Sequence, residues 1–168
     1  MVQKKGPSTR DKSRLGNDAT LPEEVHRGPS SAPPLVPTVL RVDTSRWPLV
    51  VLTYAGLPTK QEMADHLREI EQYVLEQRKP FAQVIDQRKG QRPDAAQRAM
   101  IAAHQNQYSF AYATYCVGEA YVANASVRLA MQGVFWVAKL PYPHVFVDTL
   151  DEAMAWARER LKTVRKGT

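Results

Sequence analysis

The chain carries one cysteine, Cys116, and so closes no disulfide within itself. Set between Tyr115 and Val117, that thiol reads as a small buried hydrophobe rather than a redox centre. Long apolar runs are missing as well. The longest candidate, residues 116–147, is broken by Glu119, Arg128 and Lys139, short of the roughly 20 apolar residues that span a bilayer. No apolar stretch follows Lys4 and Lys5, which argues against a secretory leader and makes a reducing cytoplasm the expected compartment. The histidines His26, His66, His104 and His144 show no metal-ligand spacing, so neither a metal nor a cofactor is expected. His66, one helical turn after Glu62, reads as half of a surface pair. Ser109 and Ser126 lack the glycines of a nucleophile elbow, and Gly90 and Gly118 stand alone rather than in a phosphate-binding loop. Little in the chain supports an enzyme.

Charge of one sign is also weak. The net charge is +6 over 168 residues, and it is spread out. Up to residue 38 there are six basic against four acidic side chains, and beyond it seventeen against thirteen. Nucleic-acid binders concentrate their basic groups into one field. Here Lys4, Lys5, Arg10, Lys12 and Arg14 are diluted by Asp11, Asp18, Glu23 and Glu24, so nucleic acid is not the expected partner.

What is present divides into two materials. Residues 1–38 hold half of the twelve prolines and no aromatic residue. Such a segment buries too little apolar surface to offset its ordering entropy and is expected to be a disordered tail. Residues 39–163 form the folded domain in this reading, with a short tail at 164–168. Leu40–Arg46 and Leu49–Tyr54 read as an antiparallel strand pair turning near Trp47-Pro48. Phe81–Asp86, Tyr115–Val122 and His144–Val147 read as three further strands. Helices are expected after the capping boxes Thr59/Glu62, Asp94/Gln97 and Thr149/Glu152, and over 124–138. The row Ala96, Met100, Ala103 and Phe110 marks the inward face of the second helix. Strands alternating with helices imply an α/β domain: about five strands in a mixed, mostly parallel sheet, with about four helices.

Several phrases in this order resemble the STAS superfamily in its SpoIIAA-like branch. They are Val84-Ile85-Asp86-Gln87-Arg88 at a strand-to-loop junction, Val117-Gly118 in the next strand, and Phe146-Val147-Asp148-Thr149-Leu150 running into Glu152-Ala153 and Trp156. The superfamily includes anti-sigma-factor antagonists, so the resemblance implies a bacterial, regulatory domain that docks other proteins without catalysis. Its phosphorylated branch places a Ser or Thr in the loop after the third strand. This chain has no Ser, Thr or Tyr from Asp86 to Ala96, so the resemblance does not bring that switch with it.

The junction itself is the candidate site: Asp86, Gln87, Arg88, Lys89, Arg92, Asp94 and Arg98. Amides at a helix start and adjacent guanidinium groups suit an acidic partner surface. The expected partner is another protein, with a second copy of the chain as an option. The alternative is a small anionic ligand such as a nucleotide, phosphate or lipid headgroup. Phe135 and Trp136, about 100° apart on one helix, and Tyr142 in the Pro141-Tyr142-Pro143 turn are the candidate interface aromatics.

Overall fold

The computed structural model describes residues 37–165, with side chains through 163. The expected N-terminal tail lies almost wholly outside the described residues. Of the expected C-terminal tail, only backbone at 164–165 is described, and it belongs to the last helix.

Five strands form one sheet in the order β1-β2-β3-β4-β5: β1 Val39–Arg46, β2 Leu49–Gly56, β3 Phe81–Gly90, β4 Cys116–Ala123 and β5 His144–Val147. The pair β1–β2 is antiparallel and every other pairing is parallel. Five helices join them: α1 Lys60–Tyr73, α2 Ala95–Gln107, α3 Ser109–Tyr115, α4 Ala125–Ala138 and α5 Leu150–Arg165. All three capping boxes close. Thr59 Oγ1 accepts from Glu62 N at 3.2 Å while Glu62 Oε2 accepts from Thr59 N at 2.6 Å. Asp94 and Gln97 do the same at 2.7 and 2.9 Å, as do Thr149 and Glu152 at 3.2 Å each way. Each cap satisfies amides that the first helical turn leaves without an internal partner.

Strand periodicity sorts the side chains into two cores. One face of the sheet, with Val50, Leu52, Phe81, Ile85 and Tyr121, packs beneath α1, α3 and α4. The other face, with Leu49, Ala82, Val84, Ala120 and Val122, is covered by Ala153, Met154 and Ala157 of α5. No helix among the described residues is long and apolar enough to cross a membrane.

Two elements differ from the sequence reading. Strand β3 continues past Asp86 to Gly90, because Ala55 and Gly56 of β2 go on pairing with Lys89 and Gly90. The charged stretch is therefore mostly strand, and the true loop is only residues 91–94. The second helix breaks at Tyr108 (φ −101°, ψ 15°). That break resets the helical phase: Tyr112 turns inward and is buried, while Phe110 is 80% exposed. The expected inward row is also wrong within α2, where Ala103 is exposed and Gln97 and His104 are the buried positions.

Gly118 sits under α5. A Cβ at that position would lie 2.7 Å from the Trp156 ring and 3.2 Å from Arg160 Cγ, inside van der Waals contact. Arg160 is meanwhile fixed by its Nε donating to Val117 O at 3.0 Å. Gly118→Ala is therefore expected to cost about 1–3 kcal/mol through overpacking. Denaturant midpoints check it, with Trp156→Phe as the relieving second change; a loss below about 0.5 kcal/mol would remove the steric account.

Candidate functional site

The seven junction residues have different fates. Asp86 and Arg88, two apart on β3, pair with each other through Nε–Oδ1 at 2.9 Å and Nη2–Oδ2 at 2.7 Å. Burial works to raise the Asp86 pKa, but the Arg88 side chain and amide outweigh it and hold the carboxyl below its ordinary value. Much of the Arg88 charge is thus balanced locally. Lys89 and Arg92 are exposed, and no hydrogen bond or ion pair engages either side chain among the described residues. Asp94 serves as the α2 cap, and Arg98 Nη1 donates to Pro93 O at 2.8 Å. Gln87 points inward and is buried. The outward rim is therefore Arg88, Lys89 and Arg92, at the strand ends where exposed Leu57 follows the Gly56–Gly90 pair.

The aromatics also divide. Trp136 is 86% exposed, on the same face of α4 as exposed Leu129 and Val137. Phe135 is half-buried, its ring 4.9 Å from Tyr121 and 5.7 Å from Phe146. Tyr142 must be corrected: it is 5% exposed and its hydroxyl donates to Gln105 Oε1 at 3.0 Å. The Pro-Tyr-Pro turn folds its ring inward against Tyr112 at 5.4 Å, so it offers nothing to a partner.

Behind the rim lies a cleft of about 60 Å³ between the sheet and the helices. At the C-terminal ends of β2 and β3 its lining is Gly56, Leu57, Pro58, Gly90, Gln91 and Pro93. Gln91 N donates to Gly56 O at 2.9 Å, and Gln97 Nε2 donates to Pro58 O, which fixes the start of α2 against that part of the lining. Inside, apolar side chains such as Leu52, Met63 and Met131 meet the polar groups Gln83, Gln87, His104 and Glu119. Register explains the pairing at the floor. Gln83 is directly opposite Glu119 across β3–β4, and Glu119 is opposite His144 across β4–β5.

A search of solved structures finds a DUF3478-family protein from Shewanella loihica PV-4, described as having a SpoIIAA-like fold. It is 12% identical, covers 75% of this chain and 98% of its own, and superposes with a TM-score of 0.53. This chain has the SpoIIAA-like fold. An anti-sigma factor antagonist from Mycobacterium paratuberculosis also matches, at 20% identity, 76% and 98% coverage and a TM-score of 0.47. No protein-family model and no curated protein matches the sequence.

In this SpoIIAA-like domain the sequence reading missed the interior polar groups. Glu119 is fully buried, and desolvation pushes its pKa up to about 7, with the Tyr121 and Tyr142 hydroxyls offsetting part of the rise. Tyr121 donates its hydroxyl proton to Glu119 Oε2; Glu119 Oε1 makes no well-formed hydrogen bond. His66, read as a surface residue, is buried against Tyr54 with ring centroids 4.9 Å apart. Its Nδ1 lies 3.6 Å from Glu69 Oε2, too far for a hydrogen bond. Burial lowers its pKa to about 4, and that of His104 likewise, so both rings are neutral at pH 7 and His66 forms no ion pair.

Proposed function

We propose that this domain is a non-catalytic regulatory module that docks an acidic surface of another protein through the end of β3 and the start of α2. The observation that carries the reading is the pair of exposed cations Lys89 and Arg92, neither held in a hydrogen bond or ion pair among the described residues, at the strand ends where exposed Leu57 follows the Gly56–Gly90 pair. In open α/β sheets this end, where strands pass into helices, is where partners and ligands meet the protein. Fold likeness alone assigns no activity; the argument rests on the rim. The small-anion alternative is weaker, because no lysine or arginine is among the described residues lining the cleft behind that rim.

The test is affinity capture on the full chain and on its Arg88→Glu, Lys89→Glu, Arg92→Glu triple variant, quantified by mass spectrometry. The partner held by the native chain is expected to fall at least about tenfold on the variant, equivalent to about 1.4 kcal/mol, and to weaken with salt, as rim charges do. Equal retention by a triple variant of unchanged melting temperature removes the rim. Loss confined to Trp136→Ser would move docking to α4.

A further inference from the structure

We infer that the cleft beneath the rim binds a small molecule with an apolar body and an N–H-donating head, neutral or cationic. This does not rest on the docking reading. Buried polar groups in folded proteins are nearly always partnered, and leaving one bare costs about 1–3 kcal/mol. Yet Gln83 Nε2, Gln87 Oε1, His104 Nε2 and Glu119 Oε1 make no well-formed hydrogen bond, with only the Tyr112 hydroxyl near Gln83 and the Tyr142 hydroxyl near Glu119. Each belongs to a side chain less than a tenth exposed, and all four residues line this one cleft. Of the six buried side-chain atoms with no well-formed hydrogen bond among the described residues, four line this cleft and the other two belong to His66, outside it.

The lining decides the ligand class. Glu119 Oε1 and Gln87 Oε1 accept, and Gln83 Nε2 needs an acceptor in return. No lysine or arginine among the described residues stands in the lining to neutralise an anion, so a second carboxylate or a phosphate would meet Glu119 unshielded in a low-dielectric site. An amine or amide nitrogen satisfies Glu119 Oε1, and an amide carbonyl also serves Gln83, directly opposite Glu119 across β3–β4; Gln87 lies four residues further along β3, about 13 Å away along the strand. Because its pKa is raised to about 7, Glu119 is able to donate as well as accept near neutrality. Leu52, Met63, Ile85 and Met131 supply an apolar wall for a short carbon body. The volume of about 60 Å³ is well below the roughly 150 Å³ of an engineered cavity that takes up benzene, so the body is a few carbons long unless it projects beyond the cleft. Water is the competing occupant, since one molecule needs only about 10–15 Å³.

Three probes with one four-carbon body separate the cases: n-butylamine, butyramide and butyrate. The full chain is labelled with ¹³C at its methionine methyls. Met63 and Met131 line the cleft, whereas Met154 packs on the opposite face of the sheet and serves as the control. Saturable movement of the Met63 and Met131 signals is expected with butylamine, butyramide or both, with Met154 still and no response to butyrate. Which of the two binds tells a cationic head from a neutral one. Glu119→Gln is expected to weaken the amine at least tenfold. Ile85→Phe, which fills the apolar wall, is expected to weaken either probe at least threefold and covers the case in which the first variant does not fold. The inference is overturned by no saturable movement with any probe, which leaves water alone in the cleft, by butyrate binding as well as the others, or by variants that bind unchanged.

Discussion

Glu119→Gln will stabilise the domain by about 3 kcal/mol at pH 8 and by less than about 1 kcal/mol at pH 5. The reason is the solitary buried carboxyl, whose folded pKa is raised from 4.5 to about 7 with desolvation as the main cause. Below pH 4.5 the group is protonated in folded and unfolded chains alike and costs nothing. As pH rises, the unfolded chain releases this proton first and the folded chain resists until about pH 7. Stability is therefore lost across that window and stays lost above it. The shift multiplied by about 1.4 kcal/mol per pKa unit gives the ceiling. Glutamine keeps the shape and an oxygen to accept from Tyr121, and it has no charge to bury. Denaturant midpoints of both proteins at pH 5 and pH 8 provide the check. A difference between the two chains that is the same at both pH values would show that Glu119 is not titrating in this window.

The sequence shows the frame of this fold more clearly than its interior. Cap residues act locally, so Thr59, Asp94 and Thr149 announce their helices wherever the chain goes afterwards. The phrases that suggested the SpoIIAA-like resemblance turn out to be in contact: the Trp156 ring occupies the space that a side chain at position 118 would need. A motif of that kind is legible because it is a packing constraint written at two places. The extension of β3 was not legible. Arg88, Lys89 and Gly90 have poor strand propensity, and only pairing with Ala55 and Gly56 holds them in the ladder. The polar floor was hidden for a related reason. Gln83 and Glu119 each sit singly in an apolar strand, where periodicity registers an interruption and not a juxtaposition. Only the register across β3–β4 places them side by side. His66 was misread because Glu62 follows the helical spacing of a surface partner, yet that carboxylate is committed to the Thr59 cap.

Acid will destabilise the native chain from about pH 6.5 downward, and His66→Phe will remove roughly half of the histidine contribution. His66 and His104 are both buried, and desolvation, aided for His66 by its histidine neighbour, lowers each pKa from 6.5 to about 4. Stability from these neutral rings is fully present above pH 6.5. It drains as pH falls toward 4, because the unfolded chain takes up two protons that the folded chain refuses. Each ring accounts for on the order of 2–3 kcal/mol, against a typical domain stability of about 5–15 kcal/mol. Glu119 opposes them with one proton in the same window. Between pH 5 and 6 the native chain should therefore gain about one proton's worth of stability per pH unit, roughly 1.4 kcal/mol. Phenylalanine at position 66 keeps the edge contact with Tyr54 and sacrifices no hydrogen bond, since both imidazole nitrogens are unpartnered. In that variant the single remaining histidine and Glu119 cancel, and the slope should fall to near zero. In Glu119→Gln two histidines act unopposed, and the slope should double to about 2.8 kcal/mol per pH unit. Folding free energies from urea titrations at pH 5.0, 5.5 and 6.0 give all three slopes. Identical slopes in the three chains would mean that these groups exchange protons with solvent as freely in the folded domain as out of it.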